Sequence, residues 1–211
     1  MKPLTSSVLV LGSTGLIGQE VIRQSPVPLY CAARRSIDDL DPKHQLLLES
    51  NLADLQFPDG LETVICCLGS TIKKAGSKQA FKAMDLDLPL GLLAKALEQG
   101  AKRLLIVSSQ GASSKSLLFY NQIKGNLEDA IGLQNWQQVV IFRPSLLLGQ
   151  RDEMRPVERF AQWLSPLIGF LLPIRYRPID AHSLSSAIWH YCNNTIEPGI
   201  QVKEGKQLWI K

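Results

Sequence analysis

The stretch that most constrains this chain runs from Val8 to Gly18, VLVLGSTGLIG. A short apolar, valine-bearing run enters a tight glycine turn, and a helical apolar pattern leaves it. Each glycine has its own reason in such a turn. Gly12 takes backbone angles closed to other residues, Gly15 removes a Cβ where a pyrophosphate comes close, and Gly18 lets the following helix pack tightly. The helix then offers unpaired N–H groups and the positive end of its dipole to a phosphate. The G-x-x-G-x-x-G spacing, preceded by a strand and followed by a helix, reads as a dinucleotide-binding βα turn.

The rest of the chain alternates in the same way, which predicts an α/β fold: a Rossmann-type doubly wound parallel sheet. Strands are expected at 8–11, 29–33, 45–49, 63–68, 103–108 and 138–142, ordered 3-2-1-4-5-6, with a possible last strand at 206–210. Helices are expected at 16–24, 77–84, 88–99, 118–133, 153–164 and 183–193. The alternation changes beyond Gln150. We therefore read residues 1–211 as a single NAD(P)-binding Rossmann domain in which 150–211 contributes most of a small C-terminal substrate lobe. The apolar run Phe160–Ile174 contains Pro166, Gly169 and Pro173 and is shorter than the about 20 residues a membrane span needs. It reads as a buried lid or subunit contact outside the central sheet, with membrane-surface contact as the weaker reading of the arginines that flank it.

Dinucleotide sites signal their preference at the end of strand two. A carboxylate there accepts from the ribose 2′-hydroxyl, whereas arginine accommodates a 2′-phosphate. Arg34 and Arg35 stand there, which favours NADP(H) over NAD(H); the alternative is a solvated charge pair at a strand end. A second constellation is Tyr120-Asn121-Gln122-Ile123-Lys124. Residues four apart share a helix face, so the phenol and the ammonium can address one ligand. A positive neighbour favours the phenolate, which suits Tyr120 to proton exchange with a carbonyl and alcohol pair, with Lys124 also binding nicotinamide ribose hydroxyls. The loop Ser108-Ser109-Gln110-Gly111-Ala112-Ser113 precedes this helix and supplies a serine to orient the substrate oxygen. Ser109 is the choice and Ser108 its rival.

On these motifs the chain resembles the short-chain dehydrogenases/reductases, and within their atypical branch the Tat-interacting-protein oxidoreductase group. The shared pieces are Cys66 to Thr71, Lys74-Ala75-Gly76, Ser108 to Ala112, Tyr120 to Gly125, Phe142-Arg143-Pro144 and Leu146 to Leu148. The similarity is weakest after Arg159. It implies NADPH contacts at Thr14, Gly15, Leu16, Ile17, Arg34, Arg35, Leu68, Gly69, Tyr120, Lys124, Leu147 and Arg155, and a proton donor at Tyr120. The activity it implies is NADP(H)-dependent hydride transfer to or from a small-molecule carbonyl or alcohol substrate. A different class of function, a non-catalytic NADP(H)-binding sensor that contacts a protein partner, is the alternative. A membrane-associated isomerase or dehydratase using transient oxidation, which rests only on the apolar run, is a third reading.

The net charge of +4 is dispersed, without the basic stripe of a nucleic-acid protein. Cys31, Cys66, Cys67 and Cys192 form no CxxC pair and read as buried reduced thiols. His44, His182 and His190 lack metal-ligand spacing, so no metal is expected. Residues 1–7 have no apolar core of a signal peptide, from which a cytoplasmic protein is expected.

Overall fold

The computed structural model describes residues 7–148, 173, 176–194 and 197–210. The strands are β1 (Ser7–Leu11), β2 (Tyr30–Ala33), β3 (Gln45–Leu48), β4 (Leu61–Cys66), β5 (Arg103–Val107), β6 (Gln138–Arg143), two-residue β7 (Leu147–Leu148) and β8 (Ile179–Asp180), and β9 (Gly199–Glu204). The helices are α1 (Leu16–Arg23), α2 (Ile72–Ala75), α3 (Lys78–Lys82), α4 (Leu88–Glu98), α5 (Phe119–Gly132) and α6 (Ala181–Asn193), with a π-helical turn at Ala83–Asp87 joining α3 to α4. The main sheet runs β3-β2-β1-β4-β5-β6-β9 with every neighbour parallel.

Side chains alternate across a strand, and a parallel sheet is covered on both faces, so its strands are apolar throughout. Leu9 and Leu11 of β1 join Val64, Leu104 and Ile106 under α4 and α5. Val8 and Val10 join Ile65, Leu105 and Val140 under α1 and α6. That two-sided burial explains why β1 reads as an unbroken apolar run.

The expected order 3-2-1-4-5-6 is present, with a seventh strand beyond it. The last strand is corrected: it lies at Gly199–Glu204, and Gly205–Leu208 is a 3₁₀ turn. Ile200 and Val202 alternate with Gln201 and Lys203 there, whereas Gly205 adopts a positive φ of 57° and breaks the extended path. The short helix α2 replaces part of an expected loop; Thr71 caps it by accepting from Lys74 N–H. The run 160–174 and the helix expected at 153–164 lie outside the described residues, save Pro173.

Helix α6 is clamped onto α1. Trp189 Nε1 donates to the Val21 carbonyl at 2.9 Å, and His182 Nδ1 lies 2.9 Å from Glu20 Oε1. The Arg23 guanidinium beside Glu20, helped by Gln24 and His182 against partial burial, holds its carboxyl at about 2, below the ordinary 4.5. A depressed carboxyl contributes stability above its unfolded value and loses it as pH falls toward the folded one. Glu20→Gln is therefore expected to lower Tm by no more than about 3 °C near neutrality, because the pair is partly solvated. The gap should close as acid protonates Glu20 in the parent. Thermal scans against pH check this, and a gap that persists unchanged into strong acid contradicts it.

Candidate functional site

Strand order reverses between β1 and β4, and their carboxyl ends open a crevice, the usual ligand position in such sheets. Gly12 has φ +84°, and a Cβ on it would stand 2.7 Å from the carbonyl carbon of Cys67. Both facts demand glycine, since the turn lies directly on the chain leaving β4. A Cβ on Gly18 would stand 2.1 Å from the Gly12 carbonyl oxygen, so this glycine lets α1 close on the turn itself. Gly15 is exposed at the start of α1, which has no side-chain cap. Its first N–H groups therefore face the crevice without a protein side chain on them.

A cavity of about 680 Å³ occupies the crevice, within the range of cofactor and small-molecule sites. It is lined by Thr14, Gly15, Leu16 and Ile17 from the turn, Arg35 after β2, and Leu68 and Gly69 after β4. Ser108, Ser109, Tyr120, Lys124 and Leu147 line its other side. The expected site residues are thus largely brought together. Gly12 and Gly18 shape the turn without lining the cavity. Arg34 is exposed and is not among the lining residues, whereas Arg35 is. Arg155 lies outside the described residues. Among the described residues the charged side chains lining the cavity are Arg35, Lys74 and Lys124; with Lys124 paired to Asp85, Arg35 and Lys74 leave a positive field that favours an anionic ligand.

Two features distinguish the serines of this loop. Ser108 Oγ donates to Glu128 Oε1, and Glu128 is gripped by Arg143, whose Nε lies 3.1 Å from both carboxylate oxygens. Ser108 is thereby committed to the framework. Ser109 Oγ is buried and has no hydrogen-bond partner among the described residues, although the residue lines the cavity. A buried hydroxyl left unmatched carries a cost that a ligand can relieve.

Tyr120 rests its ring on Phe81, with centroids 5.5 Å apart and planes at 33°. Lys124 differs from expectation. It is 3% exposed, and its Nζ sits 2.8 Å from Oδ1 of Asp85, which is 0% exposed. Burial opposes the ammonium, but Asp85, with Tyr120 nearby, outweighs it and raises the Lys124 pKa above its ordinary value. Sequence reading missed Asp85 and Glu128, and gave Arg143 only as part of a shared motif, without its partner. Burial also pushes up the cavity-lining Cys67 thiol. His44 is structural, its Nδ1 accepting from Leu29 N–H at 3.1 Å. Asp180 caps α6 by accepting from Ser183 N–H at 2.8 Å.

The HIM1 family model matches residues 31–167. "Protein FMP52, mitochondrial" of Debaryomyces hansenii is 28% identical over 207 residues, covering 92% of this chain and 90% of its own. "Protein HTATIP2" of Rattus norvegicus is 28% identical over 209 residues, covering 94% and 84%. Among solved structures, MoeE5 in complex with UDP-glucuronic acid and NAD superposes with a TM-score of 0.72 at 15% identity, over 93% of this chain and 75% of its own. The human epimerase family protein SDR39U1 with NADPH gives 0.62 at 19% identity, over 94% and 74%. These likenesses establish the Rossmann-type fold.

The cytoplasmic expectation is corrected. The FMP52 relatives from Debaryomyces hansenii, Lodderomyces elongisporus, Emericella nidulans and Candida albicans are all named mitochondrial. Mitochondrial targeting segments are amphipathic and basic, so the lack of an apolar leader was the wrong sign to read.

Proposed function

The chain belongs to the HIM1 family, and from its cleft we propose that it is an NADP(H)-dependent oxidoreductase acting on a carbonyl or alcohol. One observation carries the reading: the uncapped start of α1 and the pair Tyr120 and Ser109 line the same continuous cavity. A dinucleotide spans such a distance, with its pyrophosphate at a helix start and its reactive ring at the far strand ends. The residues present fit the group. Gly15 leaves room for phosphate oxygens, Arg35 offers a guanidinium at the strand-two end, and Ser109 holds an unmatched hydroxyl at the other side. MoeE5 and SDR39U1, which share the fold, are described with NAD and NADPH respectively.

When bound, the nicotinamide supplies or accepts the hydride. The protein's own residues do the rest. Ser109 Oγ hydrogen-bonds the substrate oxygen and orients it. Tyr120 Oη gives that oxygen a proton during reduction and takes it back during oxidation. Lys124 presents its ammonium donors to the ribose hydroxyls. On this reading residues 1–211 are a single cofactor-binding domain, with 150–211 contributing most of the substrate lobe.

Calorimetry with both cofactors tests the preference. NADPH is expected to bind the parent more tightly than NADH. Arg35→Ala should weaken NADPH about ten- to a hundredfold and leave NADH nearly unchanged, because charge-assisted contacts of about 1.5–3 kcal/mol are lost. Arg34→Ala should have a much smaller effect. Equal affinity of the parent for the two cofactors overturns the NADP(H) reading.

A further inference from the structure

Asp85 belongs neither to the glycine turn nor to the Tyr120 helix, yet its carboxylate is joined to both walls of the cleft near Lys124. Oδ1 accepts from Lys124 Nζ at 2.8 Å. Both oxygens accept from Ser70 N–H, at 3.1 and 2.9 Å. Gly69 lies over the pair: a Cβ there would stand 3.5 Å from Lys124 Nζ and 3.6 Å from Asp85 Oδ1. Gly69, Ser70 and Lys124 all line the cavity, whereas Asp85 does not. The carboxylate reaches inward from a π-helical turn, a local widening often found at functional sites.

A buried ion pair is a poor choice for stability alone, because apolar residues of similar volume serve as well or better. Its placement under cavity-lining backbone calls for another reason. We propose that Asp85 is a positioning residue for the cofactor: it anchors the Lys124 ammonium toward the ribose hydroxyls and ties the Gly69–Ser70 loop to the same point. The inference rests on the reading of this cleft as a nicotinamide cofactor site.

The titratable groups that act on Lys124 are Asp85 from the π-helical turn, Tyr120 from its own helix and Cys66 from the end of β4. Glu128, one turn further along α5, is held by Arg143 and Ser108. Asp85 therefore supplies the counter-charge that offsets burial. Asp85→Asn keeps the shape and an acceptor for Ser70 N–H but removes the charge. Burial then loses its main opponent, and Lys124 gives up its proton at a lower pH.

The experiment is NADPH affinity by calorimetry from about pH 7 to about pH 9.5, with circular dichroism to check folding. The parent is expected to be flat over this range. Asp85→Asn should weaken about tenfold more at the alkaline end than at the neutral end. The second variant is the neutral pair Asp85→Asn/Lys124→Gln, which leaves neither partner charged. It should bind about tenfold more weakly than the parent and show no pH dependence of its own. A purely structural role for Asp85 would alter thermal stability without this alkaline limb. A pH profile in Asp85→Asn that parallels the parent's overturns the inference alone, as does parental affinity in the neutral pair. Failure of the folded parent to bind NADPH at any pH overturns the cofactor reading instead.

Discussion

Tyr120→Phe is expected to leave NADPH affinity within about twofold of the parent while lowering turnover of a carbonyl substrate by about 10²–10⁴-fold, the usual contribution of a positioned acid or base. The separation of the two effects comes from the packing. The Tyr120 ring lies against Phe81, whose ring also meets Phe119. Phenylalanine keeps that contact and removes one oxygen at the cavity. Melting temperatures of parent and variant should therefore agree closely. The measurement is NADPH consumption across a panel of aldehydes and ketones, with calorimetry alongside. Undiminished turnover in Tyr120→Phe overturns the assignment of the proton donor. A sensor predicts a different pattern: cofactor binding without NADPH consumption for any carbonyl, and no response of binding to the missing hydroxyl.

What the sequence made legible was local. The glycine turn was readable because Gly12 and Gly18 answer to contacts a few residues away, with the Gly12 carbonyl closing on Gly18. The strands were readable because both faces of the sheet are covered. Tyr120 and Lys124 were readable as neighbours because four residues make one helical turn. Partnerships across the fold were not. Asp85 and Asp87 sit two apart in the same apolar context, yet one is fully buried against Lys124 and the other is exposed beside Lys82. Residues two apart on a helix do not share a face, and only the folded chain shows that the Asp85 side meets Lys124. The different surroundings of Ser108 and Ser109 likewise come from Glu128 and Arg143, which only the folded chain brings to Ser108. The seventh strand was within reach, since Ile200 and Val202 alternate, but its pairing with β6 spans a long connection.

Lys124→Met is expected to destabilise the protein by about 3–5 kcal/mol, the usual result of removing one partner from a buried ion pair. On a domain of this size that is a loss of about 6–20 °C in Tm. The sequence alone assigns Lys124 to ligand binding and catalysis, so it foresees harm to function only. The structure adds Asp85, which has no exposure and would be left as a bare carboxylate in the core. Methionine matches the aliphatic stem of lysine, so little of the effect comes from a cavity. The sign of the pH dependence separates charge from packing. A buried carboxylate without a counter-ion binds a proton more readily than it does when unfolded, so folding is favoured in acid and disfavoured as pH rises. The deficit of Lys124→Met should accordingly be largest near neutrality and shrink toward about pH 4. Adding Asp85→Asn to Lys124→Met should recover much of the lost stability, because the unpaired charge is gone, but not NADPH affinity, because the ammonium is still missing. Denaturant unfolding of the parent, the single variant and the double variant at acidic and neutral pH provides the measurement. A single variant as stable as the parent, or a double variant no more stable than the single one, contradicts the buried pair as the origin of the effect. Recovery of stability without recovery of binding assigns Lys124 two separable tasks: neutralising Asp85 within the core, and offering its remaining donors to whatever occupies the cleft.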